Sequence, residues 1–267
     1  MLPVVPKERT SILDRLRAGV ACHSLGIRSA RNVDFVRMAA SAGYDLIWVD
    51  LEHSTIALDT AAQMCALAGD LGLGAWVRIP EGDLGVIGRV LDGGASGLII
   101  PHIVTAADAR EAASYCRYPP AGGRSHNALT STFGFRRIPG AERVALANGR
   151  VIMQVLLETP EAVANADAIA AVEGVDVVGL GLNDLSAGMG LLGEVQHPAV
   201  AELCRQVIAA AHRHGKVAVI GGLAGPEHYA SLVEMGAAPF VFTAIDTDLF
   251  VEALSQRLEK WRTFARA

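Results

Sequence analysis

The chain has 267 residues, 51% of them hydrophobic, with a formal charge of −5 and a mean hydropathy of +0.34. It is long enough for one large domain with a sizeable core and too apolar to be disordered. Acids and bases are interspersed, which excludes the basic stripe of a nucleic-acid binder and the polybasic patch of a membrane-surface protein.

The opening run MLPVVPKERTSILDRLRAG has no long apolar stretch behind its charges, so neither a signal peptide nor a membrane anchor is expected. Val- and Ile-rich runs follow at 20–24, 45–50, 74–79, 97–103, 151–158, 175–181, 217–221 and 240–245. Between them lie segments of helical period, among them 58–71, 106–117, 161–173 and 198–214, many closing on Gly. Eight strands alternating with helices over about 250 residues spell a single (β/α)8 TIM barrel of the α/β class. An open doubly wound sheet is the competing architecture, but no GxGxxG follows the first strand.

Two regions break the alternation. Residues 118–149, rich in Gly, Pro and Arg, are too long for an ordinary connection and read as a functional loop or subunit contact. The C-terminal TDLFVEALSQRLEKWRTFARA reads as an amphipathic helix that closes the barrel or packs on a neighbour. Cys22, Cys65, Cys116 and Cys204 are scattered with no CxxC, which points to free thiols in a reducing, cytoplasmic compartment and away from metal ligation through sulfur.

Active sites of such barrels lie at the C-terminal strand ends, so the last residues of each strand belong together. The second strand ends in Asp50, Glu52 and His53, the third in Arg78, the fourth in His102, the fifth in Glu158, the sixth in Asn183 and Asp184, the seventh in Gly221 and Gly222. Carboxylates on adjacent strand tips, Glu158 and Asp184, can share one cation. A two-carboxylate oxygen site suits Mg2+ or Mn2+, which complete an octahedron with water and substrate. The plainer alternative is a surface carboxylate and a helix cap, since both precede helices. His53 is the neutral-pH base candidate, with Asp50 near enough in sequence to hold its ring in one tautomer. Arg78 ends an apolar strand and is costly there unless it meets an anion, either a substrate carboxylate or a neighbouring strand's acid. His102 is expected to line the mouth.

DLIWVDLEHS, WVRIP, RVLDGGASGLIIPHIVTAADAREAASYCRYPPAGGR, LLETPEA and GLGLNDLSAGMG, followed by QHP, occur in an order and spacing that resembles the HpcH/HpaI aldolases, from about residue 20 to 255. These are metal- and pyruvate-dependent class II aldolases. The resemblance implies His53 as general base, Asp92 as the acid that raises its basicity, in the same chain or from an adjacent subunit, and Arg78 as the residue that stabilises the transition state. It implies Glu158 and Asp184 as ligands of a divalent cation, Mg2+ or Mn2+ with Co2+ as a third option, chelated by the oxo acid. It also implies a homo-oligomer, trimer or hexamer, that exchanges the C-terminal helix.

Departures from the family pattern surround the same site. Leu156 stands where the best-known members have a glutamine two residues before the metal glutamate; Gln154 shares its face but lies two residues deeper, about 6.6 Å by strand rise. Asn183 replaces a small residue, GGRSHN at 122–127 replaces GxRG, and the early loop HSLGIRSARN carries Arg28 and Arg31. They point to another acceptor or a divergent reaction.

The reaction expected is reversible cleavage of a 4-hydroxy-2-oxo acid to pyruvate, or a pyruvate-like oxo acid, and an aldehyde. The metal polarises the 2-oxo group, and His53 works through a metal-bound water. Asn183, Asp184, Gly221 and Arg78 would contact substrate. No Schiff-base lysine is needed, and Lys7, Lys216 and Lys260 do not fall on the upper strand ends. A citrate-lyase-like or malyl-CoA-type lyase is the enzymatic alternative; a non-catalytic oxo-acid-binding barrel is the alternative outside catalysis.

Overall fold

Eight apolar runs pair side by side as parallel strands: β1 (Cys22–Ile27), β2 (Leu46–Asp50), β3 (Gly74–Arg78), β4 (Gly97–Ile100), β5 (Ile152–Leu157), β6 (Val177–Gly181), β7 (Val217–Gly221) and β8 (Phe240–Ile245). The computed structural model describes residues 11–265, so the expectations for the first ten residues and for the last two of the C-terminal helix lie outside the described residues. The helices between and around the strands are α1 (Ile12–Arg17), α2 (Asp34–Ala42), α3 (Leu58–Leu71), α4 (Ile87–Asp92), α5 (Ala106–Cys116), α6 (Gly140–Arg150), α7 (Pro160–Ala164), α8 (Ala166–Ala170), α9 (Leu182–Gly188), α10 (Pro198–Arg213), α11 (Pro226–Glu234) and α12 (Asp246–Ala265). The ladder runs β7-β6-β5-β4-β3-β2-β1-β8. At the seam between β7 and β8 the Ala238 N–H, just before β8, donates to the Ala218 carbonyl at 2.8 Å. This is the (β/α)8 barrel.

Alternate residues of each strand face opposite ways. One set, including Ile47, Val49, Val77, Leu98, Val155 and Leu157, packs outward beneath the helices; the other, including Leu46, Trp48, Trp76, Ile99, Leu156 and Phe240, fills the barrel. Both faces are buried, which is why the strands read as continuous apolar runs rather than alternating ones. Large rings inside the barrel are accommodated by glycines opposite them. A Cβ on Gly97 would lie 2.5 Å from the Trp76 ring, and one on Gly26 2.6 Å from the Trp48 ring. Trp76 in turn stacks on Phe240 at 5.4 Å between centroids.

The larger differences from the sequence reading lie at the first and fourth strands and in two helical regions. The first strand is not 20–24 but runs on to Ile27, because it pairs with β2 through Ile27↔Val49 and with β8 through Gly26↔Ile245. The fourth strand stops at Ile100: Pro101 follows, and His102 has φ 53. The 161–173 helix is two short helices meeting at Asn165, whose Nδ2 donates to the Val104 carbonyl at 2.9 Å. Residues 118–149, expected to form a functional loop or subunit contact, hold most of α6, whose run GAERVALANGR is rich in good helix formers after Pro139.

All four cysteines are free and buried. Burial pushes the Cys65 and Cys116 thiols up to about 12 and Cys204 to about 11, so they behave as core residues. Among the described residues no helix is long and apolar enough to cross a membrane.

Candidate active site at the strand tips

The tips of β1, β2, β3 and β5, with the residue two past β4, bring one charged network into the barrel mouth. Asp50 closes β2 directly opposite Arg78 of β3 in the ladder. Its carboxylate is fully buried and accepts from Arg78 Nε (3.0 Å) and Nη2 (2.6 Å), Arg28 Nε (2.6 Å), and the backbone N–H groups of Glu52 (3.1 Å) and His53 (3.2 Å). Burial alone would raise the Asp50 carboxyl, but the hydrogen bonds and charges of Arg78 and Arg28 hold it below its ordinary value. Asp50 was expected to steady the His53 ring; instead it fixes the His53 backbone and spends its remaining lone pairs on two arginines. The acid nearest the His53 ring is Glu52, whose Oε2 lies 3.7 Å from Nε2.

Arg78 is buried and uses all three guanidinium nitrogens, two on Asp50 and Nη1 on Glu52 Oε2 at 3.0 Å, with its Cζ 5.5 Å from the Trp48 centroid. Of the two partners weighed for it, the neighbouring strand's acid is the one in place. Burial works against its charge, and Asp50, Glu52 and Glu158 outweigh that, raising its pKa.

Glu52 and His102 carry more than the sequence reading gave them. His102 Nε2 stands 3.3 Å from Glu52 Oε1 and its Nδ1 3.4 Å from Glu158 Oε2, so one imidazole spans two carboxylates. Its backbone N–H also donates to Glu158 Oε2 at 3.1 Å. A non-glycine residue at φ 53 is conformationally costly, and here that backbone aims both the amide and the ring at Glu158. The Pro-His pair at a strand end is the sequence signal for this turn.

Glu158 is 4% exposed, and Gly181 on the next strand makes room for it: a Cβ there would lie 3.0 Å from its Oε1. Its carboxyl is raised, first by burial and then by the negative charges of Asp184 and Glu52, against the lowering pull of His102. Asp184 and Asn183 are exposed in the first turn of α9, with Asn183 against Gly222: a Cβ there would lie 3.3 Å from the Asn183 side chain. Gly221 pairs with Gly181, leaving the mouth open at adjacent tips. Below them Gln154 is buried with its Oε1 unpartnered, under Leu156. Asp92 does not join this group in its own chain. It ends α4 and accepts from Arg124 Nη2 (2.5 Å) and Asn127 Nδ2 (3.2 Å).

A divalent cation fits the donor set. Four carboxylates, Asp50, Glu52, Glu158 and Asp184, face two guanidiniums, and the charges of Asp184 and Glu52 add to the effect of burial on Glu158. Among the described residues no three His, Cys, Asp or Glu side chains form a ready cage.

Residues 28–253 match the family model described as HpcH/HpaI aldolase/citrate lyase. The chain belongs to that family. A 4-hydroxy-4-methyl-2-oxoglutarate aldolase of Hapsidospora irregularis is 42% identical over 216 residues, 79% of each chain. A hydroxypyruvate/pyruvate aldolase of Roseovarius nubinhibens is 36% identical over 226 residues, 84% of this chain and 86% of the relative. The crystal structure of an HpcH/HpaI aldolase from Desulfitobacterium hafniense superposes with a TM-score of 0.87 at 30% identity, covering 94% of this chain and 96% of that one. Family membership agrees with the barrel.

Proposed function

We propose that this HpcH/HpaI aldolase reversibly cleaves a 4-hydroxy-2-oxo acid to pyruvate, or a pyruvate-like oxo acid, and a carbonyl product. Glu158 and Asp184 would hold Mg2+ or Mn2+. The observation that carries the reading is the geometry of Glu158, a carboxyl 4% exposed that stands at the mouth of a barrel of this family with the charges of Asp184 and Glu52 near it. The names of the aldolase relatives support the reaction class.

When bound, the cation supplies Lewis-acid stabilisation of the negative charge that develops on the 2-oxo oxygen. Arg78, its three nitrogens held by Asp50 and Glu52, acts on the same developing charge through its positive field. His53, 53% exposed at the side chain, takes the 4-hydroxyl proton as the C3–C4 bond breaks and returns it in synthesis. Asp92, which lies outside this group in its own chain, would support His53 from an adjacent copy. Asn183 and Gly221 shape the mouth beside the metal. The free, buried thiols suit the cytoplasm.

Exchange of pyruvate methyl protons with deuterated water, followed by NMR, tests this without knowledge of the acceptor. Exchange is expected with Mg2+ or Mn2+ and should vanish with EDTA and in Glu158→Gln and Asp184→Asn. Exchange that survives chelation, or none with any metal, overturns the reading, and the latter outcome favours an oxo-acid-binding barrel. Thermal shift with CoA thioesters separates the CoA-lyase alternative.

A further inference from the structure

Arg28 lies outside the set of residues that perform the reaction, yet it sits in the same mouth. Cys22, Ser24 and Gly26 of β1 are buried on alternate positions, and Arg28 is the next residue of that period, just past the strand tip. It lies beside Asp50, since Ile27 pairs with Val49. Its Nε donates to Asp50 Oδ2 at 2.6 Å. Among the described residues neither of its Nη atoms donates a hydrogen bond, and the side chain is 28% exposed. The contrast with Arg78 is chemical: Arg78 spends its whole fork on carboxylates, whereas Arg28 keeps its two terminal nitrogens for something else.

The loop that carries Arg28 is fixed on both sides. The backbone N–H groups of Arg28, Ser29 and Ala30 all donate to the fully buried Asp246 carboxylate at 2.6–3.1 Å. Arg31 Nη1 donates to the carbonyls of Arg28, Ser29 and Ala30 at 2.7–3.3 Å, and its Nη2 to Thr55 Oγ1 at 3.0 Å. A guanidinium held this way pays its ordering cost before a ligand arrives.

Position decides which ligand. In the ladder β1 lies four strands from β5, across the mouth from Glu158. A substrate gripped at its 2-oxo acid end near Glu158 therefore points its other end toward β1. We propose that Arg28 is a specificity-determining residue that binds a carboxylate on the acceptor half, so that the preferred acceptor is an oxo acid rather than a neutral aldehyde. This rests on the aldolase reading above and names the substrate class for it.

Pyruvate as donor with two acceptors, glyoxylate and glycolaldehyde, tests the assignment, because the two differ in carboxylate against hydroxymethyl. The wild-type protein is expected to prefer glyoxylate in kcat/KM by about tenfold or more, the discrimination a charged hydrogen bond provides. Arg28→Gln is expected to cut that glyoxylate-to-glycolaldehyde ratio by about the same factor, through KM for glyoxylate, and Arg28→Lys to restore part of it. A wild-type ratio near one overturns the proposal with no variant needed, as does a ratio that Arg28→Gln leaves unmoved because both acceptors fall together or neither does. Pyruvate proton exchange is measured on the wild-type protein alongside. Its absence means that the aldolase reading has failed and Arg28's role with it; its presence with an unmoved ratio means that only the Arg28 assignment has failed.

Discussion

Asp50 carries five hydrogen bonds and no solvent contact, so its protonation state is bound to the fold rather than to catalysis alone. Its carboxyl is depressed in the folded protein, against an unfolded value of about 3.9. A depressed acid contributes stability that is fully present above the unfolded value and is lost as pH falls through the folded one. Asp50→Asn should therefore destabilise the protein by about 3–5 kcal/mol at pH 7, because two arginines lose the charge they were buried or half-buried with. In urea titrations the gap between wild type and variant should narrow as pH drops below about 4; a gap under about 1 kcal/mol at pH 7 would mean the pair is not holding the mouth together. At this scale the sequence made the ionisable tips visible but not their pairing. Asp50 and Glu52 both follow an apolar strand, and nothing in their spacing says that Arg78 rather than His53 meets Asp50; the β2–β3 register decides it. His102 was undervalued for a similar reason, since its left-handed backbone is set by tertiary contacts and not by local preference.

Strands and helices were legible to the extent that burial is two-sided and lengths are ordinary. The eight strands stand out because both faces are apolar, while the end of β1 was lost because Gly26 and Arg28 look like a turn. In the barrel Gly26 is the small partner of Trp48. Gly26→Ala places a Cβ 2.6 Å from Trp48 Cζ2 and 3.0 Å from Ile245 Cγ1, inside a packed core that cannot give way freely. The expected cost is about 1–3 kcal/mol, seen as a lower melting temperature. Gly149, in contrast, lies exposed within α6 with nothing within 4 Å of its Cβ position, so Gly149→Ala should stabilise by up to about 1 kcal/mol through helix propensity. Opposite signs in one melting series check both; a neutral Gly26→Ala would show that the Trp48 ring shifts at little cost. α6 is hard to see in the sequence because Gly, Pro and Arg residues dominate 118–139 and mask the helical run after Pro139.

Over the whole molecule the largest unresolved energy lies on α12. Its first turns are anchored: Asp246 is buried under the β1 loop and the Phe250 ring meets Phe35 of α2 at 5.7 Å. Beyond that, Val251, Leu254, Leu258 and Trp261 are 64%, 70%, 51% and 62% exposed. Their spacing of three, four and three places them on one stripe, a helix–helix seam that has no partner among the described residues. Four such side chains, each only about six-tenths exposed, represent roughly 4–7 kcal/mol of gross burial before the cost of association. A monomer would leave that surface in water, so a second copy of this chain is the occupant expected, in keeping with the homo-oligomer implied by the family resemblance. The double substitution Leu254→Glu with Trp261→Glu puts two charges into the stripe without touching the barrel. Light scattering on the wild-type protein should give a multiple of 28.0 kDa, and the double variant a smaller multiple with its circular dichroism spectrum retained. A wild-type protein of monomer mass, or a variant of unchanged mass, would show that α12 covers its stripe some other way.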